Sequence, residues 1–93
     1  MRHAGEQALA ALEPMLGQLR SLPGLTEKRP GVFYRGSGAF LHFHEDPAGL
    51  FADLKRNGEW IRLALKTRAQ QTALIRHARE ALGLGAPPSR TRP

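Results

Sequence analysis

A chain of 93 residues, 41% hydrophobic and 24% charged, has the composition of one globular domain and is too short for a second core. It has no cysteine, which excludes disulfides, thiolate nucleophiles and cysteine-ligated metal sites. The formal charge of +6 is a weak nucleic-acid signature, because without Arg2, Arg90 and Arg92 residues 3–82 carry eleven Lys and Arg against eight Asp and Glu.

The first residues, Met1-Arg2-His3-Ala4-Gly5-Glu6, lack the apolar stretch of a secretory signal, and no later apolar run approaches the ~20 residues that span a bilayer. A cytoplasmic location with no membrane contact is the expectation. Residues 6–22 set Leu9, Leu12, Leu16 and Leu19 at spacings of three and four, the pattern of one helix face. Pro14 interrupts it, since its ring crowds the carbonyl of Ala10 and it has no N–H to donate. The expected result is a kink, or a fresh start capped by Glu13. Leu22-Pro23-Gly24 ends the segment.

From residue 25 to 66 the hydrophobic period changes to two. Gly36-Ser37, Asp46-Pro47-Ala48-Gly49 and Asn57-Gly58 are turn signals that separate strands predicted over residues 32–35, 39–45, 50–56 and 59–65. Loops of two, four and two residues pair Arg35 with Gly38, Glu45 with Leu50, and Arg56 with Glu59, the last as a surface ion pair. In this register Val32, Leu41, Leu54 and Ile61 form one row, Phe43, Ala52 and Leu63 the next, and Leu50 and Leu65 a third, all on one face. A slip of one residue would turn a strand's aliphatic set outward, so the agreement of three loops supports the register.

Thr67 with Gln70 reads as a capping box for a last helix whose buried stripe is Leu74, Ile75, Ala78, Ala81 and Leu82 and whose stop is Gly83. Arg68, Thr72, Arg76 and Arg79 fall on its other side. The expectation is a single domain over residues 1–82, followed by a flexible basic tail over residues 83–93. It is α+β and two-layered: a four-stranded antiparallel meander with the N-terminal helix, kinked at Pro14, and the C-terminal helix on its aliphatic face. Over residues 9–82, the order of Leu22-Pro23-Gly24, short strands around Phe33 and Phe43, and a closing helix resembles small uncharacterised bacterial proteins of the MmcQ/YjbR-like kind. That resemblance implies an antiparallel sheet with helices on one side and carries over no catalytic residue.

The same register assigns the opposite face. Phe33, Phe40, Lys55 and Trp60 form one row, His42, Asp53 and Arg62 the next, and His44, Phe51 and Ala64 a third, with Arg35 nearby. Four large aromatics among cations are unusual on a solvated face and predict that something covers it. The expected cover is the kinked N-terminal segment folding over this face, or a second copy of the chain, making a homodimer, or another protein partner. Nucleic acid is the alternative, with rings stacking bases while Arg35, Lys55 and Arg62 meet phosphates. His42, His44 and Asp53 are the candidates for a metal, but alternation along any strand produces a His-x-His pair, so no metal and no cofactor is expected. Gly36-Ser37-Gly38 is turn chemistry rather than a nucleophile elbow, and Glu45-Asp46 opens a turn, so no catalytic residue is assigned.

Overall fold

In the computed structural model, which describes residues 2–85, the elements in chain order are β1 (Arg2–His3), α1 (Glu6–Ala11), α2 (Glu13–Arg20), β2 (Leu25–Arg29) and β3 (Val32–Arg35). They continue with β4 (Gly38–Asp46), β5 (Gly49–Arg56), β6 (Glu59–Ala64) and α3 (Arg68–Ala81). The fold is α+β: among the described residues, three helices and an antiparallel sheet in the order β2-β3-β4-β5-β6, with β1 beside β4. No helix among the described residues is long and apolar enough to cross a membrane.

Local chemistry accounts for the turns. Asn57 and Gly58 both take positive φ, 53° and 81°, as a type I′ turn requires, and Arg56 faces Glu59. Gly36 alone is left-handed in the β3–β4 turn, where Arg35 faces Gly38. At the β4–β5 turn the Asp46 carboxylate accepts from the Ala48 amide at 2.7 Å, and pairing runs past Glu45–Leu50 to Asp46–Gly49, which shortens the loop. All three expected pairings at the hairpin ends are present.

The sheet is wider than the four strands expected. β2 has too little apolar alternation to be read as a strand, since only Leu25 of Leu-Thr-Glu-Lys-Arg is apolar. Its turn, Pro30-Gly31, was passed over as well: it joins Arg29 to its partner Val32, with Gly31 at the φ of +76° that a turn with proline at its second position asks of its third. β1 consists of two residues that align Arg2 with Glu45 and His3 with His44, continuing the edge of β4 beyond β3. Nothing local to Arg2-His3 signals this pairing.

Between β3 and β4 the register shifts: Tyr34 faces Ala39 but Phe33 faces Leu41, so Phe40 is an extra residue in the ladder. This bulge turns β3 over along its whole length. Phe33, expected on the outer face, enters the core at 1% exposure and meets Phe43 edge-on with ring centroids 6.4 Å apart. Val32, expected among the aliphatic row, pairs with His42 instead. Phe40 is also buried in the core.

The helical layer begins with α1 and α2, which are separate. Leu12 lies between them with non-helical backbone and is the N-cap of α2, so Glu13, expected as the cap, is inside the first turn beside Pro14. Pro14 is tolerated there because first-turn amides have no intrahelical acceptor. Leu12, Leu16 and Leu19 join Leu41, Phe43, Leu54 and Leu74 in a single buried cluster. At the start of α3 the capping box is complete, with the Thr67 hydroxyl accepting from the Gln70 amide and the Gln70 side chain accepting from the Thr67 amide. At its end the Gly83 amide donates to Glu80 and the Leu84 amide to Arg79, a Schellman stop. The tail expected from residue 83 lies outside the described residues from residue 86 onward.

Candidate functional site

The sheet face opposite the buried cluster takes its side chains from β3, β4, β5 and β6. The cross-strand pairs His42–Asp53, Asp53–Arg62, His44–Phe51, Phe51–Ala64 and Lys55–Trp60 give the neighbours expected from the hairpin loops. Three other candidates lie elsewhere. Phe33 and Phe40 are core residues, and Arg35 donates to the Ala81 carbonyl of α3 at 3.0 Å, on the helical side. The bulge explains Phe33 and Arg35 together, because reversing the facing of Phe33 reverses that of Arg35 two residues on. Val32 and Tyr34 take the vacated positions, each paired with a residue of β4.

Trp60 is the centre of what remains. At 44% exposure it is the one large hydrophobic side chain left open among the described residues. The His42 ring lies against it with centroids 5.1 Å apart and planes tilted by 37°, and the Lys55 ammonium sits 5.5 Å from the indole centroid. A cation at that distance from a tryptophan face is held by the ring quadrupole. A second such pair, Lys28 over Tyr34 at 5.4 Å, marks the β2–β3 side.

The charges at mid-face are paired. Arg62 donates to both Asp53 oxygens, at 2.7 and 2.8 Å, and His44 Nε2 lies 3.1 Å from Asp53 Oδ2. The Arg62 bonds hold the Asp53 carboxyl below the usual carboxylate range, and Asp53 raises the Arg62 guanidinium in turn. The imidazole that meets Asp53 is that of His44, although His42 is directly opposite Asp53 in the ladder. His42 is lowered from the ordinary imidazole value, first by burial and then by neighbouring His44, with Asp53 opposing. Its ring meets that of His44 edge-on, centroids 6.2 Å apart.

Sequence reasoning missed His3, which β1 places opposite His44 and whose Nε2 is 3.2 Å from the Pro30 carbonyl. Among the described residues no group of three or more His, Asp or Glu side chains is arranged to hold a metal ion. The expected Arg56–Glu59 ion pair is also absent from the described contacts. Arg56 shares the facing of Leu54 and reaches α3, 3.4 Å from Glu80 and 3.1 Å from His77 Nδ1. No family model, curated protein or solved structure matches the chain, so function rests on this geometry.

Proposed function

We propose that the chain is a small, non-catalytic, cytoplasmic interaction module whose helices cover the aliphatic side of the sheet and whose opposite face, centred on Trp60, docks a second copy of itself. The single observation behind this is Trp60, open to solvent in a surround whose main charges are already paired. Protein interfaces have this character: an aromatic anchor, a core depleted of unpaired charge, and a polar rim. Arg62 is committed to Asp53 and Arg35 is on the other side, so only Lys55 of the three expected phosphate-binding cations supports the alternative ligand, single-stranded nucleic acid.

Trp60 is the chain's single tryptophan and so reports directly on its own environment. Sedimentation across micromolar to millimolar protein should show the mass doubling, and the Trp60 emission should shift to the blue with the same midpoint. Trp60→Ala should keep the fold and remain monomeric. A wild-type chain that stays monomeric at every concentration with unchanged emission would refute self-association. Micromolar oligothymidylate binding that weakens steeply with salt would replace it with the nucleic-acid function.

A further inference from the structure

A second surface, formed by the helices, uses none of these residues. α2 packs against α3, and their seam leaves two adjoining depressions. One, of about 470 Å³, includes Pro14, Met15, Gln18, Arg68 and Thr72 in its lining. The other, of about 520 Å³, includes Leu22, Ile75, Arg76 and Arg79. Both are bounded by Gln18 and Thr72, which makes them one groove following α3 from Arg68 to Arg79, a span of about 16 Å at helical rise. Its floor is aliphatic, since Met15, Leu22 and Ile75 are buried.

Among the described residues, three arginines and no carboxylate line the groove. The acid of α3, Glu80, turns to Arg56 and His77, while Glu13 of α2 pairs with Arg20. Among the described residues neither Arg68 nor Arg76 has a carboxylate partner. Arg79 donates to the Gly85 and Leu84 carbonyls, which fixes its position, and among the described residues it too has no carboxylate partner.

Among the described residues no aromatic side chain lines the groove, so they offer no platform on which bases would stack. A free phosphate would make no use of the aliphatic floor. A cationic wall above an aliphatic floor suits a segment that carries both acids and aliphatic side chains, the helix-in-groove mode of recognition. We propose that the α2–α3 groove docks an acidic amphipathic helix of another protein, with its carboxylates on Arg68, Arg76 and Arg79 and its aliphatic side chains over Met15, Leu22 and Ile75.

The test uses the full chain and a fluorescent synthetic peptide of about three to four helical turns, Leu on one side and Glu on the other. Poly-glutamate of equal length and oligothymidylate serve as controls. The peptide should bind with micromolar affinity at low salt and shift the amide resonances of Gln18, Leu22, Thr72, Ile75 and Arg76. Arg68→Glu with Arg76→Glu, both exposed and checked for retained fold by circular dichroism, should weaken it at least ~10-fold. Trp60→Ala should leave it unchanged, separating this groove from the sheet face. Absence of binding at low salt, shifts confined to the sheet face, or poly-glutamate binding as tightly as the peptide would each overturn the proposal. Oligothymidylate binding as tightly with the same shifts would overturn it too, making the groove a nucleic-acid surface.

Discussion

Asp53 joins Arg62 and His44 on a sheet face, and its pH behaviour follows from those contacts. Its folded pKa is depressed, so the stability it contributes is present above the ordinary aspartate value of about 3.9 and is lost as pH falls through the lower folded value. Asp53→Asn should lower the melting temperature at neutral pH, and the difference from wild type should vanish in strong acid. His42 acts in the other window. Its pKa is also lowered, so below the ordinary value of about 6.5 the unfolded chain binds more protons and stability falls as the solution is acidified. Urea unfolding across about pH 5–7 should show this slope, and His42→Gln should flatten it. That His42 and His44 share a face was legible from strand alternation. Which of them would meet Asp53 was not, because that depends on side-chain direction, and His42 instead lies against Trp60.

At the scale of elements, three hairpin turns were legible because Gly, Asn, Asp and Pro each restrict the backbone in a known way. β2 and the bulge at Phe40 were not. β2 is an edge strand whose few apolar residues give no alternation, and a bulge adds a residue without any special residue type to mark it. The Pro30-Gly31 turn carries a sharp test. Gly31 combines a φ of +76° with a close approach, because an added Cβ would lie 2.8 Å from Leu9 Cδ2. Gly31→Ala should therefore cost at least about 1–2 kcal/mol in chemical denaturation from the left-handed backbone alone, with the displacement of Leu9 in addition. An unchanged midpoint would show that the turn is looser than described.

Across the whole molecule the sheet divides two kinds of surface, and Phe33 and Trp60 distinguish them. Phe33, at 1% exposure, fills space between the sheet and the helices, so Phe33→Ala should cost about 3–5 kcal/mol. Trp60→Ala should cost under about 1 kcal/mol and act on association instead. Equal losses measured on monomeric protein would mean that the two residues do not lie on opposite sides. The sequence by itself determined the change of period from helix to strand, the hairpin pairings, the α3 capping box and the aliphatic row of β4–β6, because turn residues and alternation act within a few positions of the chain. Only the tertiary structure decided which way β3 faces, which edge β1 and β2 occupy, and that Arg35 and Arg56 serve α3. Each of those depends on packing between segments distant in sequence, where burying Phe33 against Phe43 outweighs an unbroken ladder.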